Sequence, residues 1–593
     1  MHPRRTWLPV VGAALLGLFS ISPMTSSAED QTASAASTAT PIQHLVVIFQ
    51  ENVSFDHYFG TYPVAANTSG VLFKADGHVT VNNLANSKGA GGVGTLLTNN
   101  PNKDALGNQV NPRRYNPANV NDILTCDQNH NYDTEQKSFD GGAMDKFVTT
   151  VGTGSGKSPT GQLCSASDVM NYYDGNTVTA LWNYAQEFAM SDNSFDTTFG
   201  PSSPGAINLI SGNTGTVGLM FKGPNNTLPD GLGGNSLIGD DQPYFDDCST
   251  RDAVSMTGKN IGDLLNAKGL SWGWFQGGLK PTTTFAAAAA KVNPGQLTST
   301  FIPDEFSGKF ATPPATNQGI CNAVHPVGIA VGGTGNYGYK DDYIPHHEPF
   351  MYYASTANPH HLSPVSASAI GTDTQTFIGG VPQFDTANHQ YDISDFDALV
   401  AAISRGLITP DHLPAVSFLK ASGYQDGHAA YSDPLDEQQF IVNEINALQH
   451  TPDWSSTAVV IAYDDSDGWY DHAFSGVHNA STTSSDFLTA TGQCGAANAP
   501  RLGGQQGRCG YGPRQPLLVI SPFAREGKVD HTLTDLSSIL KFTEDNWHLP
   551  RIDGSFDSIA GPMNGMFSFE DQEGDNSKLF LDPTTGQPER TND

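Results

Sequence analysis

Acidic and amide side chains follow two of the most hydrophobic stretches of the chain. Glu51 and Asn52 lie just after the run HLVVIF, and Asp464 and Asp465 lie just after the run AVVIA. Carboxylate and amide oxygens are hard ligands that suit a divalent cation. Without a cation, carboxylates held together would repel one another strongly. An Asp-Asp pair after a strand more often forms a turn or a helix cap, so the pair alone indicates a metal site only weakly.

A hydroxyl nucleophile is the second candidate, in the segment FGPSSPG at residues 199–205. Ser202 and Ser203 lie between two prolines that restrict the backbone, and the flanking glycines permit sharp turns. Serine is a weak nucleophile unless a nearby metal or base lowers the pKa of its hydroxyl. On its own such a segment is far more often a turn than a catalytic loop.

Histidines are the third group of candidates. His130 lies in the segment CDQNH, His346 and His347 lie in PHHEPF, and His428 lies in QDGH, a few residues after the apolar run AVSFL. A histidine can bind an anionic oxygen when it is protonated or coordinate a metal when it is neutral. Because a single histidine is more often a surface or packed residue, spacing alone assigns no role to these four.

Four apolar runs predict the strands that must position these side chains. Residues 44–49, 415–419, 458–462 and 516–520 are short and rich in aliphatic residues, which is typical of buried parallel strands. Helical patterns alternate with them, and this alternation predicts an α/β fold with a mainly parallel sheet. Because ligands bind beyond the carboxyl ends of such strands, we expect the oxygen-rich strand ends to meet at one edge.

Two helices are predicted from apolar periodicity. One follows Asp433, which can cap it with Pro434 in the first turn, and the other follows Thr534 or Asp535. The segment INLISG, at residues 207–212, is compatible with either a helix start or a strand.

Composition and charge exclude several classes of protein. The chain has 593 residues, of which 38% are hydrophobic and 10% are aromatic, and these fractions argue against extensive disorder. It carries 29 Lys and Arg against 60 Asp and Glu, so its formal net charge is −31. Such a chain without a basic run is a poor partner for nucleic acid and for anionic membranes.

The amino terminus predicts export. Arg4 and Arg5 precede a mostly apolar stretch at 8–21 that is short for a membrane span, and small residues follow it at 26–28. Residues 1–28 are therefore interpreted as a signal peptide, with a membrane anchor as the alternative and only a weak twin-arginine match. We expect a periplasmic or secreted protein. No later stretch has 18 uninterrupted apolar residues, so no integral membrane association is expected.

The cysteines fit an exported protein. Their number, six, is even, and disulfides are the default expectation in an oxidising compartment. Among the possible pairings we predict only Cys494–Cys509, which a glycine-rich loop joins. No CxxC pair occurs, so a thiolate zinc site is not expected.

Domain organisation is predicted from shifts in composition. Residues 29–40 are small and polar and are interpreted as a flexible leader. A catalytic domain is expected over 41–565, and within it the strand and helix patterns dissolve over about 213–340. We interpret that segment as a long insertion that could roof the site. Residues 566–593 are interpreted as an acidic, polar tail.

Five segments taken together carry a family resemblance. They are HLVVIFQENVSFDHYFGTYP (44–63), FGPSSPG (199–205), PHHEPFMYY (345–353), AYDDSDGWYDH (462–472) and VDHTLTDLSSILKFTEDNW (529–547). In this order they resemble the bacterial phosphoesterase family, which joins phospholipases C with secreted acid phosphatases in the alkaline-phosphatase-like superfamily. The resemblance implies an α/β sandwich with a central, mainly parallel sheet, helices on both faces and long loop insertions.

The resemblance also implies roles for the candidate residues. One divalent metal ion of unassigned identity is expected, with a ligand set that matches Glu51, Asn52, Asp464, Asp465 and the nucleophile Ser202. Ser203 is the fallback nucleophile if the register is wrong by one residue. The histidines that surround the phosphoryl group match His130, His347 and His428, with His346 assisting, and His347 or His428 is expected to protonate the leaving group.

The implied activity is phosphoester hydrolysis. Gly205-Ala206-Ile207 departs from the phospholipase pattern after Gly-Pro, and the chain stops soon after the last segment. Both features favour an acid phosphatase that acts on small phosphomonoesters through a phosphoserine. The alternatives are a phospholipase C acting on phosphatidylcholine-type diesters and an exported, calcium-stabilised binding protein. With so few bases, only the metal and protonated histidines are expected to attract the substrate, which predicts an acidic rate optimum.

Overall fold

A central sheet runs through the molecule, and its strands come from nearly the whole length of the chain. In chain order the strands are β1 (His44–Gln50), β2 (Ala189–Ser191), β3 (Ser194–Phe195), β4 (Val217–Phe221), β5 (Thr227–Pro229), β6 (Asn235–Leu237), β7 (Gln242–Pro243), β8 (Ala253–Met256), β9 (Trp272–Gln276), β10 (Val324–Pro326), β11 (Tyr339–Asp341), β12 (Thr376–Ile378), β13 (Val381–Gln383), β14 (Gln390–Asp392), β15 (Val416–Lys420), β16 (Thr457–Tyr463), β17 (Leu517–Ile520), β18 (Lys528–Asp530) and β19 (Thr534–Asp535). The central sheet has eight of them, in the order β14-β9-β15-β1-β16-β17-β2-β18.

The helices flank this sheet. They are α1 (Phe55–Phe59), α2 (Val120–Ile123), α3 (Tyr132–Phe139), α4 (Phe147–Thr150), α5 (Thr179–Glu187), α6 (Ser202–Ser211), α7 (Ile261–Lys268), α8 (Ile393–Ser404), α9 (Pro434–Gln449) and α10 (Ser537–Asn546). None of the helices in the described part of the chain has the length and apolar composition needed to cross a membrane.

The computed structural model describes residues 37–68, 72–73, 80–152, 154, 156–221, 226–249, 251–280, 323–374, 376–378, 381–383, 386–409, 411–570 and 577–589. The predicted signal peptide, most of the predicted leader and residues 281–322 of the predicted insertion lie outside these ranges. Thr38–Asp593 forms a single compact unit.

The prediction of a mainly parallel sheet is confirmed. Strands β14, β9, β15, β1 and β16 run parallel to one another. The run at 516–520 does form a strand, but β17 pairs with β16 in the antiparallel direction. Two parallel neighbours are usually joined by a crossover that contains an α-helix. No α-helix lies between β16 and β17, which agrees with their antiparallel pairing. Burial on both faces gives an antiparallel strand the same apolar composition as a parallel one.

Strand β1 shows how the sheet separates two cores. Its residues alternate between the faces, so Val46 and Ile48 pack into one apolar cluster while Leu45, Val47 and Phe49 pack into the other. The first cluster contains side chains from α5, α8 and α9, and the second contains side chains from α6, α7 and α10. Helices therefore cover both faces, as the resemblance implied.

Both predicted helices form, the first with its predicted cap and the second with a start shifted by a residue or two. Asp433 caps α9, accepting hydrogen bonds from the amides of Leu435 and Asp436 at 2.9 and 3.0 Å. Helix α10 begins later than predicted, with Leu536 as its N-cap residue. The Asp535 carboxylate still accepts a hydrogen bond from the amide of Ser537 at 2.8 Å. The ambiguous segment at 207–212 lies almost wholly in α6.

The segment at 213–340 is more regular than its sequence indicates. It holds a second, five-stranded sheet in the order β5-β6-β4-β8-β7, and it also contributes β9 to the central sheet. Its strands are two to five residues long and are separated by Gly, Asn and Pro, so they are too short to show a clear alternating pattern. The insertion expected there is therefore interrupted by a structural strand.

The polar carboxyl-terminal segment is not detached from the core. Leu581 is completely buried, and its carbonyl accepts a hydrogen bond from Asn446 on α9 at 2.7 Å. Gln449, at the end of the same helix, donates to the carbonyl of Leu579 at 3.0 Å. Two disulfides are present in the described residues, Cys126–Cys164 and the predicted Cys494–Cys509.

Candidate active site

The register of the central sheet brings the predicted ligands together. Strands β1 and β16 are parallel neighbours that end in step, with Gln50 opposite Tyr463. The residues that follow are therefore adjacent in space, and the amide of Asn52 donates to Asp464 Oδ1 at 2.9 Å. The acidic and amide side chains predicted from sequence thus meet at one edge of the sheet.

Two oxygens at this edge have no hydrogen-bond partner. The backbone of Asn52 is in the left-handed region, with φ 59°, and its side-chain amide nitrogen donates to Asp467 Oδ1 at 3.3 Å. Within the described residues, Asn52 Oδ1 and Asp464 Oδ2 are buried and unpaired. Because a buried polar oxygen without a partner costs free energy, these two atoms mark a place where a ligand would be favourable.

Ser202 faces the carboxylates from the opposite side. It is the first residue of α6, and its hydroxyl lies 3.0 Å from Glu51 Oε2 and 3.2 Å from Asp465 Oδ2. Helix α6 approaches this closely because position 205 is a glycine. A Cβ atom at Gly205 would lie 2.1 Å from the carbonyl oxygen of Asp464.

The other serine of the pair points away from this edge. The Ser203 hydroxyl accepts a hydrogen bond from the Tyr352 hydroxyl at 3.1 Å, and its amide donates to Asp240 Oδ1 at 2.9 Å. The structure therefore places Ser202, and not the fallback Ser203, against the carboxylates.

Glu135 links the nucleophile loop to the loop after β16. It accepts hydrogen bonds from the amide of Gly200 at 3.0 Å and from the Ser466 hydroxyl at 2.7 Å. Gly200 has φ 117°, a conformation that other residues rarely adopt. Sequence analysis missed Glu135, because it lies in the middle of α3 and has no local signal of a role.

His347 lies deepest among the four candidate histidines. Its Nδ1 is 3.1 Å from Glu51 Oε1 and 3.8 Å from Asp426 Oδ2, and the side chain is almost fully buried. His346 is one step further out, because its ring packs edge-on against His347 and its Nδ1 lies 3.3 Å from Arg251 Nη2. His347 therefore borders the ligand set directly, whereas His346 does so only through its neighbour.

His130 is held by a carboxylate that sequence analysis did not select. Its Nδ1 lies 3.2 Å from Asp467 Oδ1, and its Nε2 lies 4.0 Å from Asp465 Oδ2. The ring of His428 is 6.4 Å from the ring of His130 and stacks on Tyr431. All four histidines thus cluster at this edge, and Asp467 orients one of them. The only sequence signal for Asp467 was its place in the DDSDG segment.

Lys420 is the most consequential residue missing from the predictions. It is the last residue of β15, the neighbour of β1, and its ammonium contacts Glu51 Oε1 in the buried interior. The expectation that only a metal and protonated histidines supply positive charge is therefore wrong. Its position directly after the run AVSFL, at the same sheet edge, was the signal that could have identified it.

Burial and crowding shift the ionisation of the site. Burial and the nearby Asp464 charge raise the pKa of Glu51 and of Asp465 well above their usual values. Burial lowers the pKa of His428 to about 4 and lowers that of His347 as well. For His130 burial acts in the same direction, but the carboxylates of Asp465, Asp467 and Asp127 together outweigh it and raise the pKa. Crowded carboxylates with unpaired oxygens are a donor set that fits a hard divalent cation.

A second buried acidic group lies close by in sequence but is differently arranged. The guanidinium of Arg514 binds Asp471 through Nε at 3.1 Å and Asp56 through Nη2 at 3.2 Å. His472 lies 2.6 Å from Asp56, and the remaining Arg514 nitrogen, Nη1, donates to the Asn82 carbonyl at 2.7 Å. We call Asp56, Asp471, His472 and Arg514 the arginine cluster, and Glu51, Asn52, Asp464 and Asp465 the ligand cluster.

The sequence matches the profile of the Phosphoesterase family over residues 42–550. The chain belongs to this family. The match includes every residue of both clusters, all four candidate histidines and Ser202.

Individual relatives are more distant. The chain is 23% identical over 562 residues to a non-hemolytic phospholipase C of Burkholderia pseudomallei, a match that covers 91% of this chain and 60% of that protein. It is 27% identical over 164 residues to phospholipase C A of Mycobacterium tuberculosis, covering 27% of this chain and 31% of the relative. The chain thus spans less than two thirds of the length of these relatives.

Proposed function

We propose that this member of the Phosphoesterase family is a metal-dependent hydrolase that cleaves phosphomonoesters through a phosphoserine at Ser202. The observation that carries the proposal is the position of the Ser202 hydroxyl, within 3.2 Å of carboxylates that follow two parallel strands. A serine hydroxyl that faces convergent carboxylates has beside it the groups that could act as a base or hold an activating metal, which phosphoryl transfer to serine needs.

The ligand cluster would hold the cation. Its buried carboxylates and the unpaired oxygens of Asn52 and Asp464 supply the donors, and such donors suit Mg²⁺, Ca²⁺ or Mn²⁺. When bound, a divalent cation at this place supplies Lewis-acid activation of the serine hydroxyl and of a phosphoryl oxygen.

The residues of the chain account for the proton movements. The Ser202 hydroxyl gives its proton to Glu51 Oε2 as Oγ bonds to phosphorus, and the bond from phosphorus to the ester oxygen breaks. His130 Nε2 donates a proton to the departing alkoxide, because Asp467 holds Nδ1 and leaves Nε2 facing the site. Water then attacks the phosphoserine and gives its proton to His130, and the bond from phosphorus to Oγ breaks. Glu51 returns its proton to Oγ, which restores Ser202 and releases inorganic phosphate.

A buried lysine supports the choice of monoesters. Lys420 lies fully buried beside the ligand cluster, where its ammonium would stabilise negative charge on the phosphoryl oxygens. A monoester brings two negative charges and a diester only one, so the monoester gains more. The alternative, a phospholipase C acting on phosphodiesters, is favoured by the names of the relatives.

Export is part of the proposal. The two disulfides are typical of proteins that reside in an oxidising compartment, which agrees with the predicted signal peptide. We place the enzyme in the periplasm or outside the cell.

The test is a comparison of two substrates with defined metals. The protein is stripped with a chelator, reloaded with one cation at a time, and assayed on p-nitrophenyl phosphate and on phosphatidylcholine. Faster turnover of the monoester, with a phosphorylated Ser202 peptide detected by mass spectrometry, supports the proposal. Preference for phosphatidylcholine favours the phospholipase alternative, and failure to hydrolyse either substrate with any cation rejects the proposed activity.

A further inference from the structure

A row of aromatic rings leads from the carboxylate of Asp465 to a half-buried lysine, Lys340. His130 lies beside Asp465, and its ring is 6.4 Å from that of His428. The His428 ring stacks on Tyr431 at 4.1 Å, and Lys340 Nζ lies over the Tyr431 ring at 3.7 Å from its centre. Lys340 is therefore at the outer end of this row.

The hairpin that carries Lys340 is anchored. Strands β10 and β11 pair in the antiparallel direction, and the amide of Gly423 donates to the carbonyl of Asp342 at 2.9 Å. A Cβ atom at Gly423 would lie 2.6 Å from the carbonyl of Asp341 and 3.2 Å from Lys340 Cγ. The hairpin can rest here only because position 423 has no side chain, so the ammonium is held in place.

A second cation, Arg251, borders the same site, because its Nη2 is 3.3 Å from His346 Nδ1. Burial lowers the pKa of Lys340 and the charge of Arg251 acts in the same direction, although Asp426, Asp341 and Glu51 oppose them. Within the described ranges neither side chain has a carboxylate oxygen within 4.0 Å. The acidic residue Asp127 lies 3.9 Å from His130, and the charge of Lys340 is among those that favour its ionised form.

Both cations border the site through its histidines. Lys340 lies over Tyr431, which stacks on His428, and Arg251 contacts His346. In a chain with 60 acidic residues against 29 basic ones, such cations can attract an anion to this place. Lys340 is half-buried, and the free-energy cost of partly burying its ammonium is offset by the Tyr431 ring and by the charges of Asp426, Asp341 and Glu51. Such an arrangement is favourable once an anion binds.

We propose that Lys340 and Arg251 form a subsite for a second anionic group, carried by the alcohol that leaves from a phosphomonoester. This inference rests on the proposed function, which places the transferred phosphate at Ser202 and the departing alcohol beside His130. The preferred substrates are then phosphomonoesters whose alcohol bears a carboxylate or a second phosphate.

The test uses two substrates that differ in one group. Glycerol 3-phosphate and 3-phosphoglycerate share a three-carbon skeleton and a primary phosphate, but only the second carries a carboxylate. For the metal-loaded full-length protein we expect kcat/KM to be about tenfold higher for 3-phosphoglycerate, mainly through a lower KM. A second arm compares fructose 6-phosphate with fructose 1,6-bisphosphate, which separates selectivity for phosphate from selectivity for carboxylate.

Variants assign the preference to the two cations. Lys340→Gln and Arg251→Gln should each reduce the preference ratio severalfold, and Lys340→Arg should restore most of it. Lys259→Gln is the matched control, because it removes the same charge from a side chain that is mostly exposed and pairs with Asp263. The control should keep the full ratio, and the melting temperature of each variant shows whether it is folded.

The outcomes separate this inference from the proposed function. Equal kcat/KM for charged and uncharged alcohols in both arms, or an unchanged ratio in folded Lys340→Gln and Arg251→Gln, overturns the subsite while the hydrolase stands. If Lys259→Gln lowers the preference ratio as much as Lys340→Gln and Arg251→Gln do, the preference is an effect of net charge. That result also overturns the subsite. Hydrolysis of none of the four substrates overturns the proposed function first.

Discussion

The ligand cluster and the arginine cluster arise from the same two stretches of sequence but differ in what neutralises them. Asp56 follows Glu51 by five residues, and Asp471 follows Asp465 by six. In the arginine cluster every guanidinium nitrogen of Arg514 donates to a carboxylate or a carbonyl. In the ligand cluster Lys420 contacts Glu51, while Asp464 Oδ2 and Asn52 Oδ1 have no partner among the described residues.

This contrast predicts different roles for the two clusters. In the arginine cluster the buried carboxylates already have a cation, so a substitution there should change the free energy of unfolding. A group with unpaired oxygens is stabilised only when a cation or substrate arrives, so a change there should act on activity and ligand response.

The largest expected effect is on catalysis. Ser202→Ala removes the attacking oxygen and should lower kcat on p-nitrophenyl phosphate by at least about 10³-fold, with little change in melting temperature. Ser203→Ala is the matched control, because that hydroxyl faces Tyr352, and it should keep most of the activity. Near-normal turnover by Ser202→Ala would remove this serine from the mechanism.

The next effect is on stability and belongs to the arginine cluster. Arg514→Met leaves Asp56 and Asp471 buried without their shared cation and should cost about 3–5 kcal/mol of unfolding free energy. Denaturant titration measures this. The control is Arg113→Met, whose pair with Asp122 is half exposed and should contribute less than about 1 kcal/mol. Similar losses from both variants would contradict the distinction between the clusters.

A divalent cation should distinguish the clusters directly. Added at about 100 times its Kd, it should stabilise the metal-free protein by about 2.7 kcal/mol, seen as a rise in melting temperature. Asp464→Asn should weaken this response, whereas Asp471→Asn should keep it even if its starting stability is lower. A response lost equally in both variants would mean that the ligand cluster is not the site of binding.

The smallest expected effect is a pH dependence of stability that arises from a buried aspartate, Asp246, paired with a histidine. His361 Nε2 lies 2.9 Å from Asp246 Oδ1, and its Nδ1 faces the carbonyl of Leu279 at 2.7 Å. Burial alone would lower the pKa of His361, but the Asp246 carboxylate outweighs it and raises the pKa above 6.5.

The sign of the pH dependence follows from that raised pKa. The stabilisation is complete below the unfolded value of about 6.5 and is lost as the pH rises through the folded value. We expect the melting temperature to fall with this loss, and we expect His361→Gln to flatten that part of the profile. A variant whose profile keeps the slope of the parent protein would assign it to another group.

The site residues that can be predicted from the sequence are those marked by a pattern in their immediate neighbours along the chain. Short apolar runs typical of buried strands precede the four ligand residues, Glu51, Asn52, Asp464 and Asp465. A parallel sheet brings the ends of such strands together. Ser202 is set apart by its prolines and glycines. These patterns lie within a few residues of the atoms that matter, so a single sequence suffices to place them.

The parts that sequence missed depend on contacts between distant segments. Glu135 joins two loops from the middle of a helix, and the two carboxylates that Arg514 binds are 43 and 458 residues away from it. Likewise, the direction of β17 and the place of β9 in the central sheet depend on pairing that local composition does not record. Lys420 is the exception, because its position at a strand end was visible.

Because Gly205 fits only by having no side chain, it restricts which substitutions this enzyme can accept close to Ser202. The first turn of α6 rests on the carbonyl of Asp464, so an alanine there would push the serine-bearing turn away from the sheet edge. Substrate range can therefore change readily through the β10–β11 hairpin, while the turn that carries the reacting oxygen stays fixed. In a mutant library selected for new substrates, we expect accepted substitutions to accumulate around Lys340 and to be absent at Gly205.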